Sequence, residues 1–519
     1  MSRSFVKNAG ILAISVIFAK VLGAIYRIPL TSLIGEEGMG LYQFVYPVFA
    51  LLLTLSGGAV PNAISITVSE KVANGDEEGA KKVFSVALKL CFLIGLSGTA
   101  LLAAIAYPIS LLQSTDAFIG HVSIAPAILI VTLISAFRGW FMGHNNMVPS
   151  SISQITEGTV KLAVGLTLTA FLLRYGVKYA VVGALLGVVA SEFVTLIIMG
   201  TTYLVKHKSF VRVRLNDEKE TLKRLKQIAV PLIVCGLILP VSQFVDSIVI
   251  VNLLRISGRE NAVASYGLWS GVVTPLINLP VMICITLGIA VTPQMVEGRE
   301  KRDVEYVLEK ANTANKLTYL MGVPFTFLYF FMAQGIIGVL YPRLNAESVQ
   351  EAVNLLRVGA FGVVGLSVFQ IYSAMLQGLG RAKAPMKIMG ACMAGKLVLT
   401  GILVPFLGIM GSAIASLVGY TASGVWITVY FANFARLDAQ YMKNAGLITL
   451  CGVIMSTLIF TLNGLTTSVP AVVCIGVAAM AVYFLAVLAL GVFSREELKS
   501  LPMSSILLKF NDRIKGENE

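Results

Sequence analysis

The sequence predicts an all-α polytopic membrane protein with 14 transmembrane helices, arranged as two parallel six-helix lobes plus two C-terminal helices. Three observations support this fold class. The 519-residue chain is 56% hydrophobic and 13% charged, with a mean hydropathy of +0.83, whereas soluble domains are about a quarter charged. Its apolar runs are about 20 residues or longer and do not alternate, which is typical of membrane helices and not of barrel strands. Two segments of the first half also resemble two segments of the second half.

The fourteen predicted helices follow the apolar runs in chain order. They cover residues 8–32, 41–69, 82–107, 118–142, 149–172, 178–205, 227–253, 264–292, 312–341, 348–377, 385–406, 409–434, 442–464 and 469–493. Internal prolines such as Pro47, Pro61 and Pro240 predict kinks.

The positions of lysine and arginine predict the orientation. Of the 40 basic residues, those within predicted spans include Lys20, Arg27, Lys89, Lys161, Arg357 and Lys396. Five fall in predicted external loops: Arg174, Lys178, Arg255, Arg259 and Arg343. Since basic residues accumulate in cytoplasmic loops, both termini are predicted to be cytoplasmic. The net charge of +13 is therefore an orientation signal and does not indicate a nucleic-acid partner.

Two pairs of matching segments predict an internal repeat. "GGAVPNAIS" (57–65) resembles "GIAVTPQMV" (288–296), and "FMGHNNMVPSSISQITEGTVKL" (141–162) resembles "MLQGLGRAKAPMKIMGACMAGKL" (375–397). The second pair aligns Lys161 with Lys396.

This repeat predicts the domain organisation. The N-lobe covers residues 1–205, a basic cytoplasmic linker 206–226, the C-lobe 227–437, helices 13 and 14 residues 438–493, and a cytoplasmic tail 494–519. Each lobe has an even number of spans, so the repeats are parallel, and such repeats hold a substrate site between them.

Cations inside the spans predict where a substrate binds, because charged residues at membrane depth usually line a cavity or pair with one another. Lys20 and Arg27, in "FAKVLGAIYR", are two helical turns apart and share a face. Lys161 is four residues after Glu157, so a structural pair is the alternative to a substrate contact. Lys396 has no acidic neighbour in its helix.

Three further residues complete the predicted site. Gln43 lies in "LYQFVYP", between Tyr42 and Tyr46, which are interpreted either as an interfacial aromatic belt or as a sugar-binding face. Asp246 and Glu192 are acids within predicted spans and are predicted to couple transport to an ion, with a structural partner on another helix as the alternative for Asp246 and close helix packing as the alternative for Glu192. The cavity is on balance cationic, which predicts an anionic substrate such as a phosphate headgroup.

The stretch "GEEGMGLYQFVYPVFALLLTLSGGAVPNAIS" (35–65), followed by "GDEEGAKKVF" (75–84), resembles the polysaccharide-exporter branch of the MOP flippase superfamily. The similarity is closest to the stage V sporulation protein B group and related lipid II flippases. The resemblance implies a bacterial cytoplasmic-membrane flippase that carries an undecaprenyl (pyro)phosphate-linked saccharide by alternating access. It implies membrane lipids and cell-wall synthesis enzymes as partners, and a lipid-tail groove formed with residues 442–493.

The motif carries over in part. Lys20 matches the basic residue of the "F-x-[RK]-V-L-G" segment of the lipid II flippases, and Arg27 is one place from their second arginine. Their arginines on helices 2 and 8 have no match in "LLLTLSGG" and "YGLWSGV". The resemblance therefore implies a pyrophosphate-linked substrate without identifying it as lipid II.

Other classes fit less well. A multidrug or cation antiporter of the same superfamily is the alternative, but it favours an acidic cavity. An enzyme is not predicted, because the external loops are short, no D-x-D occurs and His121, His144 and His207 form no cluster. The six cysteines lie in apolar runs without C-x-x-C spacing, so no metal site is predicted. No cofactor is expected, and coupling to Na⁺ or H⁺ remains open.

Overall fold

A computed structural model gives the fold of residues 3–58, 60–113, 115–207, 215–259, 261–435, 439–462 and 468–492. No strand is present among these residues. The chain is an all-helical polytopic membrane protein, as the sequence predicts.

The helices are numbered in chain order. They are α1 Arg3–Leu53, α2 Val60–Ala73, α3 Glu77–Leu112, α4 Phe118–Gly143, α5 Val148–Val160, α6 Leu166–Leu172, α7 Val177–His207, α8 Leu215–Gly236, α9 Ile238–Ile256, α10 Ala262–Gly267, α11 Thr274–Lys301, α12 Val304–Phe331, α13 Ala333–Leu340, α14 Ala346–Ala360, α15 Gly362–Gly378, α16 Lys383–Leu407, α17 Ile409–Ala435, α18 Ala439–Leu462 and α19 Val469–Ala489. In the described part of the chain, three π-helical turns lie between them, at Thr54–Gly58, Lys161–Gly165 and Leu268–Val273.

The first helix is broken at Gly35, which has φ 66° and ψ −172°. A helix of 51 residues would be about 75 Å long, far more than the roughly 30 Å of a hydrocarbon core. The break at Gly35 divides α1 into a first half that carries Arg27 and a second half that carries Gln43. These halves correspond to the first two predicted spans.

Among the described residues, eleven helices are long and apolar enough to cross a membrane, or thirteen if the bent pairs α12–α13 and α14–α15 each form one span. One of these candidates runs from Val21 to Ala73 and contains the break at Gly35. Division at Gly35 would give fourteen spans. The predicted number of 14 agrees with that division but stays a prediction.

Contacts between Cα atoms divide the chain into two compact units. Unit 1 is Met1–Val272 with Leu397–Ser412, and unit 2 is Val273–Lys396 with Ala413–Glu519. Unit 1 therefore includes α9 and α10, which the sequence repeat assigns to the C-lobe. The predicted lobe boundaries rest on the repeat and stay a prediction.

Glycines explain why α10 belongs to unit 1. An added Cβ at Gly40 would lie 2.2 Å from the carbonyl oxygen of Val263, and one at Gly267 would lie 2.2 Å from that of Glu36. The backbones of α10 and the second half of α1 are thus in direct contact, as small residues permit between membrane helices.

The core of unit 1 contains an aromatic cluster. Phe84 of α3, Trp140 of α4 and Tyr203 of α7 are each at most 1% exposed, and the ring of Phe84 lies 5.2 Å from Trp140 and 4.6 Å from Tyr203. These contacts stabilise the three helices against one another. Trp140 follows Arg138 on α4, and Tyr203 follows Glu192 on α7. Both charged residues are described below.

In unit 2, α18 and α19 pack on α12. Tyr483 of α19 is fully buried and donates a hydrogen bond to the Leu320 carbonyl of α12 at 3.2 Å. An added Cβ at Gly452 would lie 2.5 Å from the ring of Phe327. The two C-terminal helices are therefore integral parts of unit 2.

Candidate functional site

The predicted site residues divide between the two units. The side chain of Lys20 lies outside the described residues. Unit 1 contains five of the other candidates: Arg27, Gln43, Lys161, Glu192 and Asp246. Lys396 belongs to unit 2.

Lys161 lies against tyrosine rings. Its Nζ atom is 5.2 Å from the centroid of the Tyr26 ring and 5.7 Å from that of Tyr46, within the range of cation–π attraction. Tyr46 stacks on Tyr42 with 5.7 Å between the centroids. Lys161 forms no ion pair among the described residues. The ammonium group is therefore held by aromatic faces and keeps donors for an anion.

The tyrosines are placed inside unit 1. Tyr26 and Tyr42 are each 2% exposed. An aromatic belt lies at the surface, level with the lipid headgroups, so the burial of Tyr42 does not fit that interpretation. The alternative interpretation, an aromatic face beside cations, agrees with the geometry.

A π-helical turn fixes the position of Lys161. The turn covers Lys161–Gly165, between α5 and α6, and such turns are frequent at functional sites. An added Cβ at Gly165 would lie 3.0 Å from the Tyr26 hydroxyl, and one at Gly187 of α7 would lie 2.2 Å from the Gly165 Cα. Close backbone packing on α7 thus sets the distance between Lys161 and the Tyr26 ring.

Arg27 and Gln43 both bind the π-helical turn Leu268–Val273. Arg27 Nη1 donates to the Gly271 carbonyl at 3.4 Å, and Gln43 Nε2 donates to the Ser270 carbonyl. A π-helical turn leaves carbonyl oxygens without their usual partners, and these side chains supply them. Gln43 is thereby used structurally, whereas the contact of Arg27 occupies one of five guanidinium donors.

Glu157 pairs with a cation that the sequence analysis overlooked. Arg138 Nη2 of α4 lies 3.1 Å from Glu157 Oε2, and Arg138 Nε donates to Ser153 Oγ at 3.1 Å. Arg138 of the neighbouring helix therefore forms the close ion pair with Glu157. Lys161, the partner that the spacing offers as an alternative, acts on Glu157 without a close ion pair. Arg138 lies inside the predicted span 118–142, four residues before its end.

Glu192 of α7 lies next to Glu157. The Glu192 side chain is 6% exposed, and its Oε2 has no hydrogen-bond partner among the described residues. Glu157, Arg138 and Lys161 are the charged groups that act on it. Two carboxyl groups and two cations thus meet where α4, α5 and α7 pack together.

Asp246 occupies a separate place in unit 1. It is 8% exposed and acts electrostatically on Tyr266 of α10, whose ring stacks on Phe44 at 5.0 Å. The adjacent Ser247 accepts a hydrogen bond from Gln113 Nε2 at 3.1 Å. The two acids predicted to couple an ion therefore have different neighbours.

Lys396 is 4% exposed within unit 2. Lys161 and Lys396 each lie 13 residues after the first residue of α5 or α16, Val148 or Lys383. This equal spacing agrees with the sequence repeat. An added Cβ at Gly419 of α17 would lie 3.0 Å from the Lys396 Cβ, so α17 covers the base of this side chain.

A cavity of about 530 Å³ between α3 and α4 does not contain any predicted site residue. It is lined by Leu88, Lys89, Phe92, Leu93, Leu133 and Phe137, and its apolar lining suits a lipid chain more than a headgroup. Within the part of the chain that the structure describes, no three His, Cys, Asp or Glu side chains are grouped to hold a metal ion.

Two family models match the chain. The model described as "Polysaccharide biosynthesis protein" matches residues 5–298, and the model "MatE" matches residues 231–402. The first match covers more than half of the chain and includes every predicted site residue of unit 1.

Similar proteins extend these matches over almost the whole chain. "Stage V sporulation protein B" of Bacillus subtilis is 28% identical over 98% of this chain and 99% of that protein. "Lipid II flippase MurJ" of the same organism is 23% identical over 82% of this chain and 81% of that protein. A solved structure described as an inward-facing multidrug resistance MATE family transporter of the MOP superfamily has a TM-score of 0.69 and 17% identity. The match covers 81% of this chain and 96% of that one, which supports the fold.

Proposed function

Because the chain belongs to the polysaccharide biosynthesis protein family of the MOP superfamily, we propose that it is a flippase for an anionic lipid-linked saccharide. The substrate is an undecaprenyl phosphate or pyrophosphate carrying sugars, and it crosses the cytoplasmic membrane by alternating access. The name of one relative, a lipid II flippase, supports this substrate class. The protein is a transporter and not an enzyme.

The observation that carries the proposal is Lys161 among the tyrosines of unit 1. A partly buried ammonium that forms no close ion pair among the described residues attracts an anion strongly, because charge interactions are stronger away from water. Arg27 acts on the same Tyr26 ring and adds guanidinium donors, which suit phosphate oxygens. The rings of Tyr26 and Tyr46 give sugar residues an apolar face beside the cation.

The proposal includes the orientation and the partners. Both termini lie in the cytoplasm, so the basic segment 206–226 faces the anionic inner leaflet. Enzymes that make or use the lipid-linked saccharide work on the two sides of the membrane, and membrane lipids surround the tail.

A second candidate is a multidrug or cation antiporter. The "MatE" match covers Asp246, and this buried carboxylate would suit a cationic drug. The cations at Lys161 and Arg27 favour the anion.

Native mass spectrometry of the purified protein with lipid II, undecaprenyl pyrophosphate and phosphatidylethanolamine tests the proposal. Wild type should retain the two pyrophosphate lipids preferentially. Loss of charge-assisted hydrogen bonds should weaken this binding about 10- to 100-fold in the Arg27→Ala/Lys161→Ala double variant.

The matched control is Lys178→Ala, which removes a cation that pairs with Asp116 on the same unit, away from the tyrosines. It should bind both lipids as wild type does. Equal binding by wild type and the double variant would contradict the proposal. Binding of ethidium in preference to the pyrophosphate lipids would favour the antiporter instead.

A further inference from the structure

Glu157 and Glu192 form an acid pair beside the anion site that the proposed function does not use. Glu157 is held by Arg138 at 3.1 Å, and the guanidinium is itself fixed by Ser153. Glu192 is 6% exposed, and its Oε2 has no hydrogen-bond partner among the described residues. Arg138 and Lys161 are the two cations that act electrostatically on Glu192.

Of these two cations, Lys161 is the one that lies against the tyrosine rings of the proposed anion site. It lies one helical turn beyond Glu157 and acts on both carboxyl groups. With Lys161 and Arg138 charged, two cations balance two carboxylates. A buried carboxylate without a compensating charge is costly, and two neighbouring carboxylates resist simultaneous ionisation. The ionisation of the pair therefore depends on whether the charge of Lys161 is available to it.

An anion bound at Lys161 would remove that compensation. We propose that Glu192 takes up one proton when the anionic headgroup binds Lys161, so that the substrate and a proton cross the membrane together. The proton comes from water and bonds to a carboxylate oxygen of Glu192, and it returns to water when the headgroup leaves. Glu157 stays ionised on Arg138. This coupling rests on the proposed function and identifies its ion as H⁺.

The groups around Glu192 are consistent with this role. The helices that pack on α7 present Tyr26 and Arg27 from α1, Arg138 from α4, and Glu157 and Lys161 from α5 and its π-helical turn. Helix α6 carries no titratable residue. Lys161 is therefore the cation placed to act on both the substrate and the acid pair.

A first test counts protons on binding. Purified protein is titrated with lipid II in weakly buffered detergent solution containing a pH-sensitive dye. Wild type should take up about one proton per bound lipid, as the charge balance requires. Glu192→Gln should bind lipid II with no proton uptake. Lipid binding by wild type without proton uptake, or equal uptake by Glu192→Gln, would overturn the coupling.

A second test needs no lipid, so it separates this inference from the proposed function. Infrared difference spectroscopy follows the protonated carboxyl band that Glu192→Gln removes. Lys161→Gln should shift the pH midpoint of this band upward by roughly 1 to 3 pH units, because a nearby cation opposes protonation. Lys178→Gln, on the same helix as Glu192, should leave the midpoint unchanged. An unchanged midpoint in Lys161→Gln would overturn the coupling, whereas failure of lipid II to bind would overturn only the substrate.

Discussion

The surroundings of Lys161 differ in three ways from those of a lysine in water. Its ammonium lies against two tyrosine rings, and its backbone belongs to a π-helical turn. The residue lies one helical turn after Glu157, whose carboxylate pairs with Arg138. Lysine is a compact cation whose three donors rotate freely. The proposed function uses this freedom: the ammonium turns from the rings to a bound anion without a change in the backbone.

The contact between Lys161 and Tyr46 predicts that lipid II binding depends on the aromatic ring of Tyr46 and not on its hydroxyl. Tyr46→Ala should weaken lipid II binding about 2- to 30-fold, from the loss of about 0.5–2 kcal/mol of cation–π attraction. Tyr46→Phe keeps an aromatic face and should bind within about twofold of wild type. Native mass spectrometry of the three proteins measures the difference. Equal losses in both variants would assign the effect to the hydroxyl.

At the residue scale, ion pairs between different helices cannot be predicted from sequence spacing. The spacing of Glu157 and Lys161 indicated a pair, but spacing reports only neighbours on the same helix. Arg138 reaches Glu157 from α4, 19 residues earlier in the chain. The available signal was an arginine inside an apolar run, which needs a partner wherever it lies at membrane depth.

Glycines set the packing at the scale of the element. Gly187 brings the backbone of α7 onto Gly165, where a Cβ would lie 2.2 Å from the Gly165 Cα. Gly200, on the same helix, would place a Cβ 4.0 Å from the Phe137 ring, an ordinary contact. The two positions therefore give a matched pair within one helix.

Gly187→Ala should lower the stability of the protein by about 1–3 kcal/mol, because two backbones must separate. Gly200→Ala should be neutral or stabilising by about 0.5–1 kcal/mol, since alanine favours the helix. Thermal unfolding in detergent, followed by circular dichroism, compares the two variants. An unfolding temperature that falls equally in both would contradict a role for the close contact at Gly165.

The N-terminus of α3 carries a charged cap. Asp76 accepts a hydrogen bond from the Gly79 N–H at 2.8 Å, and this bond, with the nearby Lys71, holds the pKa of the Asp76 carboxyl below its usual range. A lowered pKa in the folded state means that the stabilisation is present at neutral pH. It is lost as the pH falls through that pKa.

Asp76→Ala should therefore be less stable than wild type at pH 7, with the difference closing below about pH 4. Asp76→Asn keeps an acceptor at the cap and should stay close to wild type at pH 7. Unfolding temperatures measured from pH 7 to pH 3 give the comparison. A difference between wild type and Asp76→Ala that is constant over this range would exclude the ionised cap.

At the scale of the whole molecule, the bilayer makes much of the fold predictable. A lipid solvent admits only long apolar helices, so hydropathy alone locates the spans. The π-helical turn at Lys161 and the break at Gly35 were not predicted, because neither follows from apolar periodicity. Lys161 and Arg27 stand out in the sequence because they are cations inside apolar runs. The hydrogen bond from Gln43 to the Ser270 carbonyl follows from no such pattern.

The orientation of the chain predicts which loops an external reagent reaches. Asp116, between α3 and α4, should lie outside the cell, and Asn74, between α2 and α3, inside it, since basic residues favour the cytoplasm. A membrane-impermeant maleimide should label Asp116→Cys in intact cells and Asn74→Cys only after permeabilisation. The unsubstituted chain gives the background, and the reverse pattern would invert the topology.

The break in α1 restricts the chirality of residue 35 and not the size of its side chain. Open space surrounds Gly35, with nothing within 4 Å of an added Cβ, yet its φ of 66° with ψ of −172° is a conformation that essentially only glycine adopts among natural residues. The mirror image of these angles is ordinary extended backbone. A D-amino acid would therefore fit at position 35 where every L-residue is strained, and the only achiral residue of the genetic code joins the two halves of the first helix.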